Sequence, residues 1–322
     1  MRILISGASG FVGTHLAQRL LEERWSIRLL RHVSKVDEEE KFEIVRGDVL
    51  DLESILKACH GVDLIFHLAA ALGSPTRKRK EFSRINVEGT QNLLQAALKA
   101  RVKRVIHVSS AGVLGEVERG KIATEDFPLK PKSIYDKTKL EGERIALRAA
   151  KEGMDVIVLR PGWVYGPGDK RTFKLIRAIA EKKFILLTKG DICQTPVFIA
   201  DLVEGILLSA KRGKSGEIYN LAGKEVLSIE KIVKTIAAKT GSKVYRLPVP
   251  LPLLKAFAWS LGKSFSLLNK EAPLSMERLA FFIYPKPLCI QKASEELCYS
   301  PEFNFEKGME KAIAWYKKEG WL

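Results

Sequence analysis

Short apolar runs alternate with longer amphipathic stretches over the first half of the chain, a pattern that predicts a parallel sheet covered by helices on both faces. Arg2-Ile3-Leu4-Ile5-Ser6 opens the series as an almost wholly apolar run, as expected of a strand buried on both sides. Further strands are predicted over 26–30, 43–47, 63–68, 105–108 and 156–159. Helices are predicted between them, over about 12–23, from an Asp51 cap to about Cys59, over 85–100 and over 133–151. The first of these puts Leu16, Leu20 and Leu21 on one face. Units of this length repeat as in a doubly wound α/β sheet, with ligands along the edge where the strands end.

The alternation stops in the last third. Pro248, Pro250 and Pro252 interrupt it, and two apolar stretches, 253–261 and 265–268, follow. The first expectation for them is helix core; they are also rich enough to line an apolar pocket or enter a membrane surface.

At 322 residues the chain can bury a large core, as two domains or as one domain with an added lobe. The segment after Met1 has glycines and polar residues where a signal peptide needs a continuous apolar stretch, and no run of 18 apolar residues exists. Cys59, Cys193, Cys289 and Cys298 lack metal-ligand spacing, so no metal and a reducing cytoplasm are expected. The net charge of +16 is spread as lysine beside glutamate, as in Lys307-Gly308-Met309-Glu310-Lys311, which favours a solvated surface. Arg77-Lys78-Arg79-Lys80 has no interleaved aromatics and reads as an exposed loop before a helix, not a nucleic-acid site.

Candidate chemistry begins directly after the first strand. Glycines at 7, 10 and 13, with Phe11 and Val12 between the last two, allow a tight turn, bare backbone against a pyrophosphate, and close packing of helix on strand. The following helix offers its N-terminal amides to an anion. Asp48-Val49 follows the third strand, where a carboxylate can accept from the adenine amine. Leu68 ends the fourth, and Ala69-Ala70-Ala71 would let a cofactor lie against backbone. His67 is expected as a buried, satisfied histidine, and Asn86 as a cap or a bridge between helix and sheet. At the end of the second strand, an acid would bind a ribose hydroxyl and an arginine a 2′-phosphate. Here Arg31 and His32 stand there, with Lys35 close by and Asp37 as the nearest acid, which favours NADP over NAD.

Tyr135 and Lys139, four apart, lie about one turn from each other on one predicted helix face. A nearby ammonium would bring the phenol down from its ordinary value near ~10. The same lysine could bond the nicotinamide ribose. Ser110, 25 residues before the tyrosine at the end of a strand, can hold a substrate oxygen.

With these residues and further motifs, the chain resembles the extended short-chain dehydrogenase/reductase superfamily, in its epimerase/dehydratase group. The further motifs are Phe66-His67-Leu68-Ala69-Ala70, Asn86-Val87-Glu88-Gly89-Thr90, Arg160-Pro161-Gly162-Trp163-Val164-Tyr165-Gly166, Phe198-Ile199-Ala200-Asp201-Leu202 and Tyr219-Asn220-Leu221-Ala222-Gly223. The resemblance implies a Rossmann cofactor domain from 1–165 and 197–223, and a smaller substrate domain from 166–196 and 224–322. It also implies a Ser110, Tyr135 and Lys139 triad, Asn86 as a helper, Pro161 beside the cofactor, and a homodimer through helices 85–100 and 133–151.

Two departures bear on the substrate. Thr195 stands where nucleotide-sugar epimerases usually bring an arginine, and Leu114 where they have a tyrosine. Both bring the chain towards 3β-hydroxysteroid-dehydrogenase-like and dihydroflavonol-reductase-like members, although Lys170, Arg171 or Arg278 could still hold a diphosphate. Three readings follow: an oxidoreductase acting on a secondary alcohol or ketone, a nucleotide-sugar epimerase or dehydratase with bound NAD(P), and a non-catalytic NAD(P)-binding sensor or assembly subunit. The expected partner is a small molecule and not nucleic acid, with a peripheral membrane contact compatible with the late apolar stretch.

Overall fold

The structure, a computed structural model, describes residues 1–33, 39–72, 79–267 and 272–322. Lys35, Asp37, Arg77, Lys78 and Leu268 therefore lie outside the described residues.

Seven parallel strands form the main sheet: β1 (Arg2–Ser6), β2 (Ser26–Arg31), β3 (Glu43–Arg46), β4 (Leu64–His67), β5 (Arg104–Val108), β6 (Val156–Pro161) and β11 (Ile218–Leu221). Their spatial order is β11-β6-β5-β4-β1-β2-β3, so the chain reverses direction across the sheet between β1 and β4. That switch point opens a crevice beyond the strand C-termini, where ligands bind in such sheets. Alternate residues of one strand enter opposite cores. Ile3 and Ile5 face α1 (Phe11–Leu21) and α7 (Ile199–Arg212), whereas Leu4 packs with α2 (Leu52–Cys59), α4 (Gly89–Lys99) and α5 (Ile134–Lys151). Burial on both faces explains why these strands read as continuous apolar runs.

The helix expected over 85–100 differs in two ways. It begins earlier, with α3 (Arg79–Ser83), so Arg79 and Lys80 are helical and not loop. One π-helical turn, Arg84–Glu88, then precedes α4. A π turn widens the helix locally, and here it is Asn86 that sits in the widening. Gly142 of α5 passes so close that a Cβ there would stand 2.6 Å from the Asn86 carbonyl.

The rest of the chain adds a lobe with three two-stranded sheets. β7 (Trp163–Tyr165) pairs with β10 (Pro196–Phe198), β8 (Ile185–Leu186) with β13 (Tyr245–Arg246), and β9 (Cys193–Gln194) with β12 (Leu227–Ser228). α6 (Lys170–Ala180), α8 (Ile229–Thr240) and α12 (Phe305–Lys318) pack together, and α11 (Gln291–Leu297) returns to β11 and α7. One apolar cluster runs unbroken from Ile3 and Leu16 through Tyr165 and Leu202 to Ile232 and Tyr316. α9 (Leu251–Leu267) and α10 (Met276–Ile283) have a small core of their own, with Leu254 and Ala258 against Leu279 and Ile283.

Candidate functional site

Every candidate residue after a sheet strand falls on the same edge. Ser6, Leu30 and His67 are in register, as are His67 and His107, and the Ser109 amide bonds the Leu159 carbonyl at 2.7 Å.

On the β1 side the edge is made of backbone. Gly7 has φ 78°, in the left-handed region, and a Cβ there would stand 2.6 Å from the Ala69 nitrogen and 2.7 Å from the Leu68 carbonyl carbon. A Cβ on Gly13 would strike the Gly7 carbonyl. Gly10 caps α1 without a side-chain bond, and the first turn carries no acid, so its free amides can receive an anion. Phe11, Val12, Ala69 and Ala70 are half-buried around this turn, and the Leu68 amide bonds the Ser6 carbonyl at 3.0 Å. A diphosphate fits such a cradle, because the glycines leave bare backbone where side chains would fill the space.

Farther along, Arg31 is half-buried at the end of β2, and its carbonyl accepts from the Gly47 amide. Asp48 accepts from the Leu50 amide at 3.0 Å, and its other oxygen lies 3.3 Å from His32 Nε2. Val49 is buried beneath Gly89, and its carbonyl accepts from Asn92 at 3.1 Å. Pro161 is buried at the end of β6.

On the β5 side the edge is made of side chains. Ser133 and Asp136 form a reciprocal capping box that starts α5 and fixes its phase against the sheet. Tyr135, Lys139 and Glu143 then follow at four-residue spacing on one stripe. Ser110 is half-buried just after β5, and its oxygen accepts from the Gly112 amide at 3.0 Å. Burial raises the Tyr135 pKa; the Arg171 charge opposes this, Asp136 adds to it, and the Ser110 hydroxyl also opposes it.

The Lys139 ammonium is buried and donates to the Val108 carbonyl at 2.6 Å, and burial, opposed by the Glu143 charge, pulls it down to about 8. Arg171, from the first turn of α6, brings a second cation to bear on the phenol.

Beneath the stripe lies a buried ion pair that the motifs do not announce. Arg160 donates to both Glu143 oxygens, at 3.1 and 2.6 Å, and Ser109 donates to the same carboxylate at 2.7 Å. Both members are 1% exposed, so each charge depends on the other. The one available signal was the Tyr135-Lys139-Glu143 stripe continuing a turn beyond the lysine.

Asn86 bridges the two sides. Its side-chain oxygen accepts from the Ala71 amide at 2.6 Å, and its nitrogen donates to Thr138 at 2.9 Å, which agrees with a bridging role. His67 is buried and satisfied: Thr90 donates to the Asn86 carbonyl, so His67 Nε2 donates to Thr90 and Nδ1 accepts from Ser6. His107, one strand over, is buried with neither ring nitrogen bonded.

The two departures turn out to be packing positions. Leu114 is fully buried with Val113, Val117, Leu140 and Leu288, and the buried Thr195 hydroxyl accepts from the Leu288 amide at 2.9 Å. Leu114 and Thr195 thus both meet Leu288 in the interior.

Comparison with known proteins agrees with this fold. The profile of the NAD dependent epimerase/dehydratase family matches residues 3–222. A ketoreductase of Stigmatella aurantiaca, named for 4-hydroxy-2-methyl-3-oxo-4-farnesyl-3,4-dihydroquinoline-1-oxide, is 30% identical over 96% of this chain and 95% of its own. A 3-beta-hydroxysteroid dehydrogenase of Mycolicibacterium neoaurum is 28% identical over 98% of this chain and 91% of its own. The structure of the UDP-glucuronic acid 4-epimerase of Bacillus cereus, in complex with UDP-glucuronic acid and NAD, superposes with a TM-score of 0.79 at 26% identity, covering 99% of this chain and 100% of that one. With two thirds of its length matched by the family profile and the same doubly wound sheet beneath its motifs, the chain belongs to the NAD-dependent epimerase/dehydratase family of extended short-chain dehydrogenases/reductases, a family of enzymes.

Proposed function

We propose that the protein is an NAD(P)-dependent oxidoreductase that interconverts a secondary alcohol and a ketone, with Ser110, Tyr135 and Lys139 as its working residues. The observation that carries this reading is that the Ser110 hydroxyl after β5 and Tyr135 in the first turn of α5 stand on the same sheet edge as the glycine cradle, with Ser110 close enough to act on the phenol. The nicotinamide supplies or accepts the hydride. In the reducing direction, Ser110 holds the carbonyl oxygen and Tyr135 gives it a proton, leaving a phenolate that is reprotonated from solvent. Arg171 would stabilise that phenolate from the side of α6, and Lys139, once off the Val108 carbonyl, would hold a ribose hydroxyl. Asp48, Val49, Leu68, Ala69, Ala70 and Pro161 would line the bound cofactor, and the lobe of 166–196 and 224–322 would supply the substrate contacts.

Arg31 supports a preference for NADP, as a cation at the strand end where a 2′-phosphate would sit. Similarity to a named ketoreductase and a named hydroxysteroid dehydrogenase supports net redox on a less polar substrate. A second reading, epimerisation or dehydration of a nucleotide sugar, draws on Arg171, whose charge reaches Tyr135 and could hold a diphosphate.

A panel of hydrophobic secondary alcohols and ketones alongside UDP-sugars, scored for product stereochemistry and cofactor turnover, separates the two. The expected result is stoichiometric consumption of reduced cofactor with a ketone. Inversion of a sugar centre without net cofactor change would replace the first reading with the second.

A further inference from the structure

The exposed large apolar side chains of the described surface concentrate in one place. Tyr245, Leu247, Leu251, Leu253, Phe257 and Trp259 all stand in solvent along the approach to α9 and on the helix itself, with Leu253 63%, Phe257 56% and Trp259 61% exposed. Leu254 and Ala258 already bind α9 to α10, so Leu253, Phe257 and Trp259 lie outside that contact. A helix apolar on both sides needs a second apolar environment.

Charge indicates which one. Between Glu230 and Glu271 the chain has eight lysines and arginines and no acid. Glu230 pairs with Lys234 and Arg246, and Lys239 pairs with Glu306 and Glu310, but Lys243, Lys255 and Lys263 make no ion pair among the described residues. Lys263 lies 5.2 Å from the Trp259 ring, so a cation stands directly beside the exposed aromatics. A two-fold contact with a second copy would set these lysines against themselves. An anionic bilayer would attract them and take the aromatics. α9 has 17 residues, and no helix among the described residues is long and apolar enough to cross a membrane, so it would lie in the interface.

We propose that α9 and the segment leading into it dock on an anionic lipid bilayer, with Leu253, Phe257 and Trp259 among the acyl chains and the lysines among the lipid phosphates. This does not depend on the chemistry proposed above. The test is co-sedimentation with phosphatidylcholine vesicles, with and without phosphatidylglycerol. The full-length protein is expected to pellet only with phosphatidylglycerol and to be released by salt. Phe257→Ser with Trp259→Ser should lower partitioning about tenfold or more, and Lys243→Gln and Lys263→Gln about fivefold each. These side chains are solvent-exposed, so an unchanged melting temperature is the folding control. Protein that stays in the supernatant with phosphatidylglycerol vesicles would overturn the proposal. So would a dimer in sedimentation velocity that the paired Phe257 and Trp259 substitutions abolish, which would assign the face to a second copy.

Discussion

The two halves of the sheet edge solve opposite problems with opposite materials. Around β1 and β4 the cradle is backbone: Gly7 and Gly13 bring main chain against main chain, and no buried charge is involved. Around β5 the site is side chain, on a buried frame of Lys139, Glu143, Arg160 and Ser109. The first half should fail by steric intrusion, the second by loss of a charge partner, and substitutions can test that division.

The largest effect is expected in the buried frame. Glu143→Ala leaves the Arg160 guanidinium without its carboxylate and should cost about 3–5 kcal/mol of stability in denaturant titration. A loss within the range of surface substitutions would mean that this half is not held by charge. Tyr135→Phe comes next, cutting turnover by about two orders of magnitude while cofactor affinity, read by fluorescence titration, stays the same. Near-normal turnover would remove Tyr135 from the chemistry.

In the backbone half, Gly13→Ala should cost about 1–3 kcal/mol and weaken cofactor binding, because its Cβ meets the Gly7 carbonyl. Unchanged affinity would dissociate the cradle from the cofactor. A pH test addresses the floor of the site. Burial, aided by the Lys139 charge, lowers His67 to about 3 and His107 well below its ordinary range. An unfolded histidine takes up a proton below pH ~6.5 while the folded one does not, so stability falls as pH drops from there. His107→Phe loses no hydrogen bond and should remove about 1.3 kcal/mol of the stability lost between pH 7 and 5.5. Equal acid sensitivity in the variant would place the effect elsewhere. The smallest change is at the mouth: Arg31→Asp should weaken NADPH binding up to about tenfold relative to NADH, and equal effects on both would undo the 2′-phosphate argument.

What was legible follows from where the information sits. β1 and β4 were readable as strands because burial on both faces makes each a continuous apolar run. Asp51 and Ser133 were readable as helix starts because capping is local chemistry, and both side chains accept from the first turns of α2 and α5. The π turn at Asn86 was not, because it accompanies the approach of Gly142 from 56 residues farther on, where α5 crosses. Nor was the Glu143–Arg160 pair, whose members meet only once α5 lies on the sheet. The packing of Leu114 was not legible either, because its neighbours, Leu140 and Leu288, come from distant segments. Arg171 was noticed as a cation for a diphosphate, but its reach to Tyr135 depends on where α6 is seated.

The unbroken cluster from Ile3 to Tyr316 has a mechanical consequence. Tyr316 donates its hydroxyl to the Gly166 and Asp169 carbonyls, so the last long helix is tied to the segment that leaves the sheet. Two bodies that share one core cannot rock apart on a hinge without exposing part of that core to water. Heating should then melt the sheet and the part of the lobe that shares its core as one cooperative unit.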